Sequence, residues 1–258
     1  MTTVPGGPRA ALVRPPSDAF ARALSSTGAG IDPTRARAQH AAYTDALADL
    51  VEVVALPADE ELPDACFVDD CAVVLGGRAL LTRPGAPSRA AEPERLAGAL
   101  ARLVGGLERM TAPATLDGGD VLRLGRMLVA GRSRRTSQAG IAQLTGFAEA
   151  AGVRVEVAAV PPGTLHLQSA VTALADDAVV GTAELLEQPA LRRVATRVVV
   201  PPEEPGAANV VAVGTTVVMA AGCPETAAVA ALGFEVVQVD LGEFAKADGG
   251  ASCLSLLV

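Results

Sequence analysis

Short apolar runs separated by tight turns recur along the chain in one pattern. Each unit begins with a small or polar residue, continues with a short apolar strand and a turn, and ends with a second apolar strand. The units begin at roughly 40–50 residue intervals, the period typical of propeller-like arrays. Their first residues are Asp70, Asp120, Ser169, Asn209 and Cys253.

Helical patterns and further strands lie between these hairpins. Helices are predicted over 33–50, 91–104, 137–151 and 224–232, each followed by an apolar strand, whereas 185–194 gives only a poor helix pattern. The unit is therefore β-β-α-β. The unit that begins at Cys253 has one strand, and the apolar run 10–14 is its predicted partner, which would close a ring and remove an exposed sheet edge.

The predicted fold class is thus α/β, a five-bladed propeller of ββαβ modules with pseudo-five-fold symmetry, in a single domain over 1–258. The alternative is an ordinary α/β sheet with coincidental hairpins. In a ring, the first residues of the five hairpins would converge on one central channel, although they are far apart in the sequence.

Composition points to a globular protein that binds a small molecule. Apolar residues make up 50% of the 258 residues and charged residues 19%, which excludes a disordered chain. The net charge is −8 and no run of Lys and Arg forms a basic patch, so nucleic acid is not an expected partner.

The predicted location is the cytoplasm. The N-terminal stretch has no apolar signal region, and the longest apolar runs are too short to span a membrane. The four cysteines, Cys66, Cys71, Cys223 and Cys253, lack the close pairing of a structural zinc site, so neither a metal site nor a disulfide framework is expected.

Cys253 follows a run of small residues, Gly249-Gly-Ala-Ser, that would let a thiol project toward a substrate. The chain has two histidines. His40 lies in a predicted helix and is expected at the surface or half-buried, which leaves His166 to supply proton chemistry. A cysteine with a distant histidine is typical of thiol nucleophilic catalysis. The alternative is that Cys253 is a small buried hydrophobic residue.

Two pairs of acidic residues are candidates for the same site as Cys253 and His166. Asp69 and Asp70 are adjacent on a predicted strand, so one of them should enter the channel, where a guanidinium would be its natural mate. Asp117 and Asp120 flank two glycines, and one of them could accept the Nδ1 proton of His166. The alternatives are an exposed acidic turn and a simple Asp-Gly turn.

Four arginines follow second strands and are candidate anchors for an anionic group, although arginines at loop tips are usually solvated. They are Arg83, Arg89, Arg134 and Arg135. The chain contains neither of the glycine-rich nucleotide-binding signatures.

Five segments together resemble the dimethylarginine dimethylaminohydrolases, which belong to the guanidine-modifying enzymes, or penteins, with a five-bladed α/β-propeller. The segments occur in the order found in that family, and they are Phe67-Val-Asp-Asp70, 81–89, Leu116-Asp-Gly-Gly-Asp-Val121, 165–169 and 249–255.

The resemblance implies a role for each matching residue. Cys253 would be the nucleophile, His166 the general acid and base, and Asp117 the residue that orients it. Asp70 and Asp69 would hold the substrate guanidinium, and Arg89 and Arg135 its α-carboxylate. The rest of the pocket would be lined by Leu24, Asp64, Phe67 and Ala247.

The implied activity is hydrolysis of Nω-methylated arginines to citrulline and dimethylamine or methylamine through a covalent thiouronium intermediate, with no cofactor. The resemblance leaves a homodimer open. Two residues depart from the family pattern: Asp69 stands where glutamate is common, and Gln168 where lysine is common.

Two other functions remain open at this point. Arginine deiminases and amidinotransferases share the ring and the thiol, but they tend to have an acid two residues after the histidine, where this chain has Gln168. A non-catalytic propeller, such as the ribosome anti-association factor with this architecture, would have no use for Cys253, His166 and Asp117 together.

Overall fold

The computed structural model describes residues 7–201 and 203–258, which form five three-stranded sheets. Each sheet is one ββαβ module. The first module contains β3 (Ala72–Leu75), β4 (Arg78–Leu81) and β5 (Gly106–Arg109); the second, β6 (Val121–Leu124), β7 (Met127–Arg132) and β8 (Arg154–Ala159); the third, β9 (Val171–Ala175), β10 (Ala178–Thr182) and β11 (Thr196–Val200); the fourth, β12 (Val211–Val213), β13 (Thr216–Ala220) and β14 (Glu235–Val239); the fifth, β15 (Ser255–Leu257), β1 (Ala10–Val13) and β2 (Glu52–Ala55).

Every module has the same pairing. The first two strands form an antiparallel pair, and the third strand runs parallel to the second after a helical crossover, as parallel neighbours require. The crossover helices are α1 (Pro33–Ala48), α2 (Glu92–Leu103), α3 (Gln138–Glu149), α4 (Ala183–Leu186) and α5 (Thr226–Ala231), and the short helix α6 (Gly242–Ala245) follows β14. The poor helix pattern over 185–194 corresponds to α4, which is only four residues long.

The two ends of the chain meet in the fifth module, as the sequence predicts. Strand β1 pairs antiparallel with β15, with Ala11 opposite Leu257, and parallel with β2. The backbone N–H of Ala10 also donates to the carbonyl of Val258 at 3.1 Å. The five-fold α/β ring predicted from the repeat is therefore confirmed.

A short 3-10 turn precedes the first strand of each module, and this feature was not predicted. The turns are Val68–Cys71, Gly118–Asp120, Leu167–Ser169, Pro205–Ala208 and Ala251–Leu254. The expectation that Asp69 and Asp70 lie on a strand is wrong, because both lie in the first of these turns. Backbone contacts join successive turns, so that the starts of the modules are close together although they are distant in sequence.

The core is divided among the junctions between modules. The largest cluster packs α1 and α6 against the fourth module and the turn that begins the fifth module, and it contains Phe20, Tyr43 and Phe244. Tyr43 is fully buried, and its hydroxyl donates to the carbonyl of Ala251 at 2.8 Å. Helix α1 is thereby tied to the turn that carries Cys253.

His40 is buried in the same cluster and not at the surface, which corrects the sequence expectation. Its residue exposure is 4%, and its ring packs near Tyr43 and Phe244. Burial lowers the pKa of the His40 imidazole to about 4, so this ring is uncharged at neutral pH.

None of the helices within 7–201 and 203–258 combines the length and the apolar character needed to cross a bilayer.

Two glycines of α3 test the packing between this helix and the segment that precedes the second module. A Cβ atom at Gly140 would lie 2.0 Å from the carbonyl oxygen of Thr115, whereas one at Gly146 would meet nothing within 4 Å. We expect Gly140→Ala to lower the free energy of unfolding by about 1–3 kcal/mol, because backbone atoms must move apart. The matched variant Gly146→Ala should raise it by about 0.5–1 kcal/mol through helix propensity. Urea unfolding followed by circular dichroism measures both, and equal effects at the two positions would contradict the described packing.

Candidate active site

A cavity of about 250 Å³ opens beside the turns that begin the first, third and fifth modules. Nine of the eleven residues assigned to the site from the sequence line this cavity: Leu24, Asp64, Phe67, Asp70, Arg89, Arg135, His166, Ala247 and Cys253. The two that do not line it are Asp69 and Asp117. Cys253 and His166 therefore share one cavity, and of the five predicted hairpin starts Asp70 and Cys253 line it.

Asp117 lies directly behind His166. Its carboxylate is fully buried, and its Oδ2 atom lies 2.9 Å from Nε2 of the imidazole. This bond was predicted at Nδ1, and that prediction is wrong, because Nε2 is the nitrogen that faces Asp117. Nδ1 lies on the side of Asp70, 3.9 Å from its Oδ1 atom. The bond to Asp117 fixes the ring and leaves Nδ1 as the nitrogen that can exchange a proton with a bound molecule.

His166 is surrounded by acids that favour its charged form. Burial alone would lower the pKa of the imidazole, but the negative charge of Asp70 and the hydrogen bond to Asp117 outweigh it and raise that pKa to about 9. His166 is therefore an imidazolium at neutral pH, although the residue is only 4% exposed.

The carboxylate of Asp70 connects three modules. Its Oδ2 atom accepts from Nη1 of Arg89 at 2.6 Å, and its Oδ1 atom accepts from the backbone N–H of Gly119 at 2.9 Å. Burial opposes its ionisation, but the positive charges of His166 and Arg89 outweigh burial and hold the pKa of Asp70 below its usual range. A Cβ atom at Gly119 would lie 2.8 Å from Oδ1 of Asp70, so this close backbone approach depends on glycine.

Glu92 is a buried partner of Arg89 that the sequence analysis missed. Both residues are less than 5% exposed, and Glu92 accepts from Nε and Nη2 of Arg89 at 2.8–3.1 Å. Nη2 of Arg89 also donates to the carbonyl of Phe67 at 3.2 Å. Burial raises the pKa of Glu92 to about 7 against the opposing effect of Arg89. The signal that could have revealed Glu92 is its position three residues after Arg89, at the start of a helix.

The guanidinium of Arg89 has one N–H left to bind a ligand. Of its five N–H groups, the bonds to Glu92, Asp70 and the carbonyl of Phe67 use four, which leaves one on Nη1.

The other three candidate arginines differ in their positions. Arg135 lines the cavity, and its buried Nη1 atom has no hydrogen-bond partner among the described residues, with Oδ2 of Asp117 3.8 Å away. Arg134 lies at the cavity wall but is exposed. Arg83 does not line the cavity; its Nη1 atom donates to the carbonyl of Ala114 at 2.6 Å.

Asp120 supports the site from behind. Its carboxylate is buried and accepts from the hydroxyls of Ser133 and Thr136, both at 2.6 Å, and from the backbone N–H of Leu167 at 2.9 Å. Asp120 thus connects the segment that carries Arg135 to the turn next to His166. The expectation that its carboxylate lies at the channel is wrong, because these three donors turn it toward the protein interior.

Asp69 is half-buried and does not line the cavity. Its Oδ2 atom accepts from Nε2 of Gln168 at 3.3 Å, and the same amide donates to the carbonyl of Val121 at 3.0 Å. Burial and the charge of Asp70 raise the pKa of Asp69 well above its usual range.

The exposed segment 24–26 also lines the cavity. The backbone N–H of Leu24 donates to Oδ1 of Asp64 at 3.0 Å, and that of Ser26 donates to Oδ2 of Asp248 at 2.7 Å. Leu24 remains 40% exposed. Burial raises the pKa of Asp64.

Cys253 is half-buried in the turn that precedes β15. Its Sγ atom lies 3.7 Å from Nδ2 of Asn209. Burial and the negative charge of Asp70 raise the pKa of the thiol to about 11. Without a cation in the cavity, Cys253 is therefore a thiol at neutral pH.

Asp70, Asp117 and His166 also form a group whose ligand atoms lie within 4.8 Å of one another. This is the spacing of potential metal ligands. We interpret the group as a hydrogen-bonded acid–imidazole network, because Asp117 binds the imidazole and Asp70 is already paired with Arg89 and Gly119.

Two features together define the class of protein. They are the ring of ββαβ modules and the cavity with a cysteine, a histidine and buried acids. The protein is a pentein, an α/β-propeller of the guanidine-modifying type. No family model matches the chain.

Comparison with known proteins then narrows the class. The chain is 43% identical over 250 residues to the N(G),N(G)-dimethylarginine dimethylaminohydrolase of Streptomyces coelicolor. The matched region covers 95% of each of the two chains. It is 34% identical over 249 residues to the Pseudomonas aeruginosa enzyme of the same name, and the matched region covers 95% of this chain and 97% of that one. A crystal structure of a cysteine-to-serine variant of the Pseudomonas aeruginosa enzyme complexed with citrulline superposes with a TM-score of 0.94 at 33% identity, over 98% of this chain and 100% of that one. The chain belongs to the dimethylarginine dimethylaminohydrolase family.

The two histidines allow a direct test of the charges around the cavity. We expect proton NMR of the imidazole signals to give one ring that titrates near pH 4, His40, and one near pH 9, His166. Because the pKa of His166 is raised above its unfolded value of about 6.5, the stability it contributes is complete below that pH and is lost as the pH rises through 9. His40→Gln assigns the signals, and Asp117→Asn should lower the higher pKa. A His166 ring that titrates near 6.5 would contradict the acid network.

Proposed function

We propose that this protein hydrolyses Nω-methylated arginines, asymmetric dimethylarginine and monomethylarginine, to citrulline and dimethylamine or methylamine. The observation that carries the proposal is that Cys253 and His166 line one cavity whose wall includes the ionised carboxylate of Asp70. Membership of the family supports the choice of substrate, and so does the relative from Pseudomonas aeruginosa whose cysteine-to-serine variant was solved with citrulline.

The substrate would be held at both ends. Asp70 would face the guanidinium, with Asp69 adding negative potential from outside the cavity lining once a cation binds. The guanidinium of Arg135, whose Nη1 atom has no hydrogen-bond partner among the described residues, and the remaining Nη1 N–H of Arg89 suit an α-carboxylate. Oδ1 of Asp64 is used by Leu24, which leaves Oδ2 for an α-ammonium. Leu24, Phe67 and Ala247 would enclose the rest of the substrate.

The substrate would itself activate the nucleophile. Burial and the negative charges of the nearby acids, Asp70 and Asp69, raise the pKa of the Cys253 thiol to about 11 in the empty cavity. A guanidinium that binds beside Asp70 offsets their charge and stabilises the thiolate, and the thiol proton passes to solvent. The thiolate then attacks the central carbon of the guanidinium to give a tetrahedral adduct.

His166 would perform both proton transfers. As an imidazolium it donates its Nδ1 proton to the departing dimethylamine, because Nε2 is bonded to Asp117. Loss of the amine leaves an S-alkylthiouronium on Cys253. The neutral imidazole then takes a proton from water, and the hydroxide adds to the same carbon. Collapse of this second adduct expels the Cys253 thiolate, the remaining proton leaves to solvent, and citrulline is released. A positioned acid and base contributes about 10²–10⁴-fold in rate.

The proposal also includes the domain organisation, the cellular location and the partners of the protein. We assign one catalytic domain to residues 1–258, of which 1–6 and 202 lie outside the described residues. A cytoplasmic location suits a nucleophilic thiol, because that compartment keeps thiols reduced. The chemistry requires no cofactor, nucleic acid or membrane. It applies to a monomer and a homodimer alike, since every residue assigned above comes from one chain.

A citrulline assay tests the proposal, with asymmetric dimethylarginine and arginine compared side by side. We expect turnover of the methylated substrate to exceed that of arginine, and Cys253→Ser to lower it by at least about 10³-fold because the nucleophile is lost. The control is Cys223→Ser, which removes a half-buried thiol that does not line the cavity and should leave activity unchanged. Preference for arginine would instead identify a deiminase, and no citrulline from either compound would favour a binding protein.

A further inference from the structure

The side chain of Asn209 lies behind Cys253, and neither the family resemblance nor the mechanism above gives it a role. It is 5% exposed and directly follows the 3-10 turn of the fourth module. Its amide contacts three groups from two other turns: the backbone N–H of Ser252, the carbonyl of Gln168 and the sulfur of Cys253.

These contacts fix which end of the amide faces the sulfur. Oδ1 of Asn209 accepts from the N–H of Ser252 at 2.8 Å, and Nδ2 donates to the carbonyl of Gln168 at 3.2 Å. Because the first partner can only donate and the second can only accept, the amide cannot be reversed. The second N–H of Nδ2 then points to Sγ of Cys253, 3.7 Å away.

This donor is notable because of the charges around the sulfur. The carboxyls of Asp70 and Asp69 both disfavour a thiolate at Cys253. Among the described residues, the side-chain groups within hydrogen-bond reach of Sγ are the amide of Asn209 and, more weakly, the hydroxyl of Ser252 at 4.0 Å. A substrate guanidinium stabilises the thiolate only while it is bound, whereas Asn209 is present throughout the reaction.

We infer that Asn209 stabilises the Cys253 thiolate and holds its sulfur at the cavity, an inference that rests on the proposed function. The same amide joins the turn next to His166, through Gln168, to the turn that carries Cys253, through Ser252. It therefore also sets how the nucleophile and the imidazole are placed relative to each other. The backbone comes close enough that a Cβ atom at Gly250 would lie 2.6 Å from Cγ of Asn209.

The hydrogen bond from Asn209 is expected to increase the rate at which the Cys253 thiolate attacks. A hydrogen bond that lowers the thiol pKa by one unit raises the thiolate fraction about ten-fold at neutral pH, while the intrinsic nucleophilicity falls by roughly three-fold. The net gain in attack is therefore roughly three-fold per unit. The bond also favours departure of the same thiolate when the second adduct collapses.

The experiment measures alkylation of Cys253 by iodoacetamide as a function of pH, without substrate, in a Cys223→Ser background. Asn209→Asp keeps the size and the acceptor for Ser252 but removes the donor to sulfur, and Asn209→Leu removes the donor without adding charge. We expect both variants to alkylate about three-fold more slowly at about pH 8, because losing a hydrogen bond worth roughly one pKa unit lowers the thiolate fraction about ten-fold and raises the intrinsic nucleophilicity about three-fold. In the citrulline assay, kcat should fall while KM changes little.

The matched control is Thr172→Val. The hydroxyl of Thr172 donates to the carbonyl of Ala208 and accepts from the N–H of Val210, so it holds the same segment without contacting Cys253. This variant should alkylate at the parent rate. The inference is overturned if Asn209→Asp and Asn209→Leu keep the parent alkylation profile, or if Thr172→Val slows alkylation equally, which would indicate a structural role alone. If Asn209→Leu does not fold, Asn209→Ala takes its place, because it also removes the donor without adding a charge.

Because alkylation requires no substrate, its result is independent of the citrulline assay. A protein that makes no citrulline but loses thiol reactivity in Asn209→Asp would refute the proposed substrate and leave the role of Asn209 intact.

Discussion

The ion pair between Asp70 and Arg89 is the interaction on which the rest of the site depends. A carboxylate as buried as Asp70 is stable only if other groups replace the water it has lost. Arg89 supplies a charged hydrogen bond at 2.6 Å, the backbone of Gly119 supplies a second at 2.9 Å, and His166 supplies positive charge 3.9 Å away. These partners come from the first, second and third modules, so the charge of Asp70 is accommodated only when these three modules are packed together.

The same charge controls the chemistry. It raises the pKa of His166 and, together with burial, that of the Cys253 thiol, because a nearby negative charge favours the protonated form of both groups. An imidazolium and a neutral thiol therefore coexist in the empty cavity, which differs from a preformed thiolate–imidazolium pair. The site is prepared to donate a proton to a leaving amine, but it lacks a nucleophile until a cation enters. This arrangement would confine thiol reactivity to molecules that carry a guanidinium.

Much of this could be predicted from the sequence, because it follows from repetition and order along the chain. The hairpins that begin near Asp70 and Asn209 gave the five-fold ring, and the apolar run 10–14 gave its closure, which the pairing of β1 with β15 confirms. The residues that line the cavity were reached mainly through the family resemblance, since a single carboxylate or arginine has no distinctive local pattern.

The features that could not be predicted depend on atomic contacts between modules. The 3-10 turns arise where a short segment must bend into a strand, and a strand pattern alone does not reveal them. The bond from Asp117 to Nε2 and not Nδ1 depends on the ring rotamer of His166. The burial of His40 follows from α6, a four-residue helix too short to be recognised, whose Phe244 packs near that ring.

The central claim is that a bound positive charge, and not the protein alone, generates the thiolate. Thiolate absorbance of Cys253 as a function of pH tests it directly, with Cys253→Ser as the blank and with saturating arginine or citrulline, which have similar shapes but differ in charge. The account predicts an apparent pKa near 11 for the empty protein, a fall of about one unit or more with arginine, and little change with citrulline. A thiol that already titrates near neutrality in the empty protein, or that responds equally to both compounds, would contradict it.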